Sequence, residues 1–274
     1  MFPFQASLNA STLLPYRLGI REQIRIAAEA GYDGIEIWLQ DLQKYVKNGG
    51  SAAELRKFAS ELGIGIANAI SFIPWGDADG AVRERGAEQT KEELTLLAEL
   101  GCPSFAAPPF GNVENVSLDE LAERFAGLTE RSRTYGVLPI LEFWGRAKKL
   151  SRVSEALYVA VQSGVPDAKL LLDPFHMYTG GSRMSDLAYL NGERIGIVHA
   201  NDYPAEPPQA TIADADRLFP GDGIAPSAEL AKRLHAAGYR GYLSLELFFP
   251  DDGGRTAAET AALGLEKMRN AYAV

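Results

Sequence analysis

Four stretches of the chain run from an apolar segment straight into one ionisable side chain. They are Leu138-Pro139-Ile140-Leu141-Glu142-Phe143-Trp144, Leu170-Leu171-Leu172-Asp173-Pro174-Phe175-His176, Ile195-Gly196-Ile197-Val198-His199-Ala200-Asn201-Asp202 and Leu243-Ser244-Leu245-Glu246-Leu247-Phe248. Runs of this kind read as strands covered on both faces, and an ionisable group placed there needs a compensating partner or costs several kcal/mol. If the four ends meet, three carboxylates crowded beside one imidazole repel one another unless a cation lies between them. One divalent metal ion resolves that cost, and Glu142, Asp173, His199 and Glu246 are its expected ligands. Mixed carboxylate and imidazole donors suit Mn²⁺, Co²⁺, Mg²⁺ or Zn²⁺, with Mn²⁺ taken first, and the absence of thiolate donors argues against a structural zinc. Any one of these residues could instead be a satisfied core group. Four at equivalent strand ends are harder to explain that way.

Other side chains fall near the same ends. His176 lies three residues beyond Asp173 and could orient a ligand or contact substrate, or be a plain loop histidine. Glu36 ends the second apolar run beside Trp38 and could bind a hydroxyl or support another group; its alternative is a pair with a neighbouring Lys or Arg. Asn68 ends the third and could hydrogen-bond a sugar hydroxyl, or form a turn. Trp38, Phe72, Trp75, Phe110 and Trp144 could wall a pocket for the apolar face of a ring, although ordinary packing accounts for each one singly.

The elements that must position these groups alternate. Strand-like runs are read at Phe4–Thr12, Gly34–Leu39, Ile64–Ser71, Ser104–Phe110, Pro139–Trp144, Lys169–His176, Ile195–Asp202 and Tyr242–Phe248. Helical patterns lie between them at Arg21–Ala30, Ala52–Leu62, Arg83–Leu100, Leu118–Tyr135, Ser154–Ser163, Met184–Leu190, Pro226–Ala237 and Ala257–Ala271. Ser117 and Glu120 form a capping-box pattern, and Gly31, Gly63, Gly101, Gly136, Gly164 and Gly238 follow helices where a left-handed closing residue is wanted. Strand–helix alternation implies parallel strands, and eight such units favour a single (β/α)₈ TIM barrel over residues 1–274. An open doubly wound sheet would bring a glycine-rich loop after the first strand, and Ser7-Leu8-Asn9-Ala10-Ser11-Thr12 has none.

Bulk properties bound the function. The chain has 274 residues and a formal charge of −9, which disfavours a continuous phosphate-binding groove and hence nucleic-acid partners. Cys102 is the single cysteine, which suits a reducing cytoplasm. No run approaches the ~18 apolar residues of a membrane span, and the start Met1-Phe2-Pro3-Phe4-Gln5 carries no signal-peptide pattern. The expectation is a soluble cytoplasmic enzyme, monomer or homodimer, acting on a small molecule.

At this point the sequence resembles the xylose-isomerase-like barrel superfamily of sugar isomerases and epimerases, and within it the inosose (2-keto-myo-inositol) isomerase group. The likeness runs nearly end to end. It is carried by Gly31-Tyr32-Asp33-Gly34-Ile35-Glu36-Ile37, Ala67-Asn68-Ala69, Leu141-Glu142-Phe143-Trp144-Gly145, Leu172-Asp173-Pro174-Phe175-His176, Asp214-Ala215-Asp216-Arg217-Leu218-Phe219-Pro220-Gly221-Asp222-Gly223 and Leu245-Glu246-Leu247-Phe248. The resemblance implies that Glu142, Asp173, His199 and Glu246 bind the metal and that His176 and Arg217 contact substrate. One departure is Arg146-Ala147-Lys148-Lys149 after Gly145, whose three cations could bind a carboxylate or phosphate, or form a solvated loop.

Reactions of this family begin by removing a proton from the carbon beside a carbonyl, with a metal stabilising the enediolate as a Lewis acid. Glu142 and Glu246 are the expected acid/base pair, with Asp173 and His199 chiefly ligands and Arg217 neutralising an oxygen or fixing a hydroxyl. Rival readings are a ketose 3-epimerase, and a hydroxypyruvate isomerase or 3-dehydroshikimate dehydratase acting on an anionic substrate. Endonuclease IV shares the barrel, but its metal site needs more histidines than His176, His199 and His235 supply. A metal-free binding module would leave four buried ionisable groups without a purpose.

Overall fold

Strands covered on both sides must stay apolar until they end, and the strands of this chain do. In a computed structural model, which describes residues 1–251 and 253–274, they are β1 Gln5–Asn9, β2 Gly34–Trp38, β3 Gly65–Ile70, β4 Ser104–Ala107, β5 Leu138–Glu142, β6 Lys169–Leu172, β7 Ile195–Ala200 and β8 Tyr242–Leu245. All pair in parallel with their neighbours in sequence order, and β8 closes on β1. The result is a closed (β/α)₈ barrel, which leaves no sheet edge exposed.

Helices wrap the outside: α1 Ile20–Ala30, α2 Leu39–Lys47, α3 Ala52–Glu61, α4 Gly80–Leu100, α5 Leu118–Arg133, α6 Val153–Gln162, α7 Pro174–Gly180, α8 Ser227–Ala236 and α9 Ala257–Ala271. Reciprocal capping boxes start α5 (Ser117 with Glu120) and α9 (Thr256 with Glu259), satisfying amides that a first turn leaves without partners. Close approach sets glycine at Gly34, where a Cβ would stand 2.7 Å from the Tyr242 ring.

Several elements depart from the sequence expectation. The first strand stops at Asn9 and continues as a 3₁₀ helix, Ala10–Tyr16, begun by the Asn9 side chain accepting from the Ser11 amide. An additional helix, α2, follows β2 directly. Strand six stops at Leu172, because Asp173 caps and Pro174 opens the short helix α7, so Pro174–His176 are helical rather than extended; Met184–Tyr189 is 3₁₀ rather than α. No helix among the described residues is long and apolar enough to cross a membrane.

On the outer shell, Glu93 of α4 holds the end of β3. Its carboxylate is buried, accepting from Ser71 Oγ at 2.7 Å and Gln89 Nε2 at 2.7 Å. Burial raises its pKa against both hydrogen bonds. A raised carboxylate contributes stability below the ordinary glutamate range and loses it as pH rises through the folded value. Glutamine keeps both contacts, since Ser71 can accept as well as donate. Glu93→Gln should therefore gain in melting temperature over the parent as pH goes from about 4 to about 8. A gap that stays constant across that range would contradict the assignment.

Candidate metal centre and active site

Strand alternation decides which side chains point inward. Ile140, Leu171 and Ile197 pack together inside the barrel with Ala67, Ile70 and Ala106, whereas Leu141, Leu170, Leu172, Val198, Leu243 and Leu245 pack outward under the helices. Two residues beyond the three inner positions come Glu142, Asp173 and His199, and Ser244 is followed in the same way by Glu246. All four groups thus gather at the carboxyl-terminal mouth, where barrel enzymes place their chemistry.

Asp173, His199 and Glu246 each offer a donor atom within 4.8 Å of the other two. His199 Nδ1 lies 2.9 Å from Glu246 Oε2 and 3.5 Å from Asp173 Oδ2. Asp173 also caps α7: its Oδ1 accepts from the Phe175 amide at 2.8 Å and from Asn201 Nδ2 at 3.0 Å, which leaves Oδ2 aimed at the site. Glu142 is buried and lines the same cavity but stands outside this close trio.

Arg217 reaches the trio from the loop after β7. Its Nη1 donates to Asp173 Oδ2 and Glu246 Oε2, both at 2.8 Å, and Nη2 donates to Asp214 Oδ1 at 2.7 Å. The guanidinium lies 4.4 Å from the Phe175 ring centroid, a cation–π contact. Asp202 holds the loop in this path. Its carboxylate accepts from the amides of Tyr203, Gly221 and Ala225, and its backbone bridges Leu218.

Glu36 and Asn68 lie beneath His199 rather than along the cavity. Both are fully buried; Asn68 Nδ2 donates to Glu36 Oε1 at 2.9 Å, and Glu36 Oε2 sits 3.1 Å from His199 Nε2. His176 does line the cavity, with Nε2 3.8 Å from Asp173 Oδ2.

The cavity measures about 800 Å³. Trp38, Phe72, Phe110, Trp144 and Phe248 make a continuous aromatic wall, with neighbouring ring centroids 5.5–6.4 Å apart. Trp75 lies away from it, against Phe125 and with its indole N–H on the Pro108 carbonyl. The three cations after β5 divide. Arg146 ties down the strand-seven loop by donating to the carbonyls of Gln209, Ala210 and Ile212. Lys148 lines the cavity and has no partner among the described residues, and Lys149 is outside the lining.

Burial and the surrounding charges set the electrostatics. Burial, with Glu246 and Asp173 adding to it, pushes Glu142 up to about 8, against the opposing pull of His199. For Asp173 burial alone would raise the carboxyl, but Arg217, His176 and His199 hold it well below the ordinary range. Burial keeps Glu246 raised despite His199 and Arg217. His199 is raised well above the usual imidazole value, because Glu246 and Glu36 outweigh its burial, and burial pushes His176 down to about 4.

The donor set fits a divalent metal ion. Four buried carboxyl groups, those of Glu36, Glu142, Asp173 and Glu246, share one guanidinium and one imidazole, so with all four ionised the mouth is short of positive charge. His199 Nδ1 is buried and makes no aligned hydrogen bond, although two carboxylate oxygens stand beside it. An atom so placed is free to give its lone pair to a shared ion, and carboxylate–imidazole ligation suits Mn²⁺, Co²⁺, Mg²⁺ or Zn²⁺.

Sequence reading passed over Asn9, Asn201 and Asp202. Asn9 Nδ2 donates to both Glu36 Oε2 at 2.9 Å and Glu246 Oε1 at 3.1 Å. Nothing in its residue type marks it: Asn9 ends β1, and strand pairing sets it level with Glu36 in the middle of β2.

Comparison with known proteins places this architecture. A family model described as xylose isomerase-like TIM barrel matches residues 24–271. The chain is 30% identical to a 3-dehydroshikimate dehydratase of Pseudomonas aeruginosa over 97% of its own length, but it spans only 40% of that protein. It is 29% identical to an inosose isomerase of Bacillus velezensis, covering 88% of each chain. The crystal structure of the IolI protein with a bound zinc atom superposes with a TM-score of 0.90 at 22% identity over 98% of both chains. With a model match over nearly the whole barrel, the chain belongs to the xylose isomerase-like TIM barrel family.

Proposed function

We propose that this chain is a divalent-metal-dependent isomerase or epimerase of a sugar or keto-inositol, acting by proton transfer beside a carbonyl. The observation that carries the reading is the convergence of Asp173, His199 and Glu246 on one point, with Glu142 facing the same aromatic-walled cavity. Asp173, His199 and Glu246 would hold the ion with Glu142 as the fourth ligand, and the zinc bound by the similarly folded IolI protein is consistent with a metal in such a barrel. When bound, such an ion supplies Lewis-acid stabilisation of negative charge developing on the substrate's carbonyl oxygen.

The chain's own residues do the rest. Glu142 takes the proton from the carbon beside the carbonyl, and the electron pair moves to the carbonyl oxygen to give an enediolate. Glu246, or Glu142 itself, returns a proton: to the original carbon from the other face for an epimer, or to the former carbonyl carbon for an isomer, in which case the hydroxyl proton passes from one oxygen to the other. Arg217 holds Glu246 and Asp173 in place and offers charge to a substrate oxygen, while His176, neutral at ordinary pH, offers a hydrogen bond. The aromatic wall excludes water and suits the apolar face of a ring.

A second reading, dehydration of 3-dehydroshikimate, is favoured by the Pseudomonas relative and by Lys148, which lines the cavity with no partner among the described residues. It shares the first proton abstraction and differs in the next step: the enolate's electron pair expels the hydroxyl on the carbon beyond, which takes up the abstracted proton and leaves as water. Incubating the Mn²⁺-reconstituted protein in D₂O with inososes, free ketoses, hydroxypyruvate and 3-dehydroshikimate, followed by NMR, separates the two. Deuterium entering one carbon with the hydroxyls retained identifies isomerisation. Loss of water identifies dehydration. Exchange with none of the four classes would reject the proposed chemistry.

A further inference from the structure

We propose that Glu36 is a positioning residue: clamped by Asn9 and Asn68, it fixes the His199 ring so that Nδ1 faces the metal ion. The inference rests on the metal-dependent reading above and concerns residues that do not touch the cavity.

Register supplies the clamp. Asn9 pairs with Glu36 across β1–β2, and Glu36 pairs with Asn68 across β2–β3, so the three stand in one row across the barrel. Each amide is oriented by its other end. Asn9 Oδ1 accepts from the Ser11 amide at 2.9 Å and from Trp38 Nε1 at 3.1 Å, which turns its NH₂ toward the acids. Asn68 Oδ1 accepts from Ser104 Oγ at 2.7 Å, with the same consequence. Both oxygens of Glu36 are thereby occupied by amide donors, at 2.9 Å each.

Glu36 is thus held from both flanking strands, with no freedom to turn away from His199. His199 Nε2 stands 3.1 Å from Glu36 Oε2, so the ring is seated with Nε2 on the clamped acid and Nδ1 toward Asp173 and Glu246. No Lys or Arg reaches Glu36 among the described residues; its one ionic partner is His199. Trp38 adds a link from the row to the cavity wall through its bond to Asn9.

The test uses Co²⁺ as the probe. Glu36→Gln keeps the size but turns an NH₂ against a donor, and Glu36→Asp keeps the charge but withdraws it from the ring. Both variants should bind Co²⁺ about 10–100-fold more weakly than the parent, with an altered visible absorption band. Their circular dichroism in EDTA should match the parent's. In the ¹⁵N-labelled parent loaded with Zn²⁺, NMR should show His199 as the Nε2–H tautomer. Unchanged Co²⁺ affinity and spectrum in both variants would overturn the positioning role alone. Failure of the parent itself to take up Co²⁺ would overturn the metal reading and this inference with it. Should neither variant fold, the parent's tautomer decides: a proton on Nδ1 overturns the proposal, and one on Nε2 supports it.

Discussion

Replacing Glu142 with Gln is expected to lower kcat about 10²–10⁴-fold and to stop deuterium entry into the substrate, while metal affinity falls far less. The separation follows from where the carboxylates stand. Asp173, His199 and Glu246 approach one another within 4.8 Å, and Glu142 faces the same cavity from outside that trio. Gln preserves the side chain's size and its place at the end of β5 but cannot accept a proton at ordinary pH. Asp173→Asn should show the reverse order of loss. Its Oδ1 is committed to the α7 cap and to Asn201, so Oδ2 is the atom left for the ion, and an amide there is a poor ligand. Metal uptake is read by titration with Mn²⁺ or Co²⁺, and proton transfer by NMR in D₂O. If Glu142→Gln sheds the ion as completely as Asp173→Asn, Glu142 is chiefly a ligand and the base lies elsewhere. If the variant exchanges at the parent rate, Glu142 has no part in proton transfer.

What could be read in the sequence was what residue type alone determines. Apolar runs ending in Glu142, Asp173, His199 and Glu246 announce both the barrel and its mouth, because only a covered strand is so uniformly apolar and only a functional end breaks the pattern. Interactions that use the backbone were out of reach. Arg146 reads as a cation beside the mouth, yet it is taken up by three loop carbonyls, groups that every residue possesses. Asp202 reads as the tail of a strand, and its three amide partners appear only when the loop folds back. Asn9 carries no charge and so gave no electrostatic signal; its importance lies in register, since only strand pairing sets it level with Glu36. Glu36 itself left two outcomes open, a hydroxyl contact or a pair with a basic residue. Its partners are instead two amides and an imidazole, a combination that needs three-dimensional packing to specify. Helix α2 was missed because Leu39–Lys47 follows β2 with no intervening turn residue to mark a start.

The largest stability effect is expected at Arg217. It is the only Lys or Arg that the described structure places among the buried carboxylates of the trio, with a side chain 1% exposed. Arg217→Met keeps a long flexible stem against Phe175 but leaves Asp173 and Glu246 buried without a guanidinium. Breaking a buried pair from one side typically costs about 3–5 kcal/mol, since the carboxylates cannot return to water and share only the His199 imidazole as an ionic partner. The exposed end of the same network gives the contrast. Asp214 also pairs with Arg217, but its side chain is 54% exposed, so Asp214→Asn should cost no more than about 1 kcal/mol. Thermal melts in EDTA should therefore rank the parent, then Asp214→Asn close behind, then Arg217→Met well below. Saturating Mn²⁺ adds stability to any form that binds it, about 2.7 kcal/mol at a hundredfold excess over Kd. In the variant the ion meets carboxylates no longer held by a guanidinium. Metal should accordingly raise the melting temperature of Arg217→Met by more than it raises the parent's. Equal melting of parent and variant in EDTA would show that the trio tolerates its own charge without Arg217, and with that the electrostatic case for a cation at this mouth would fail.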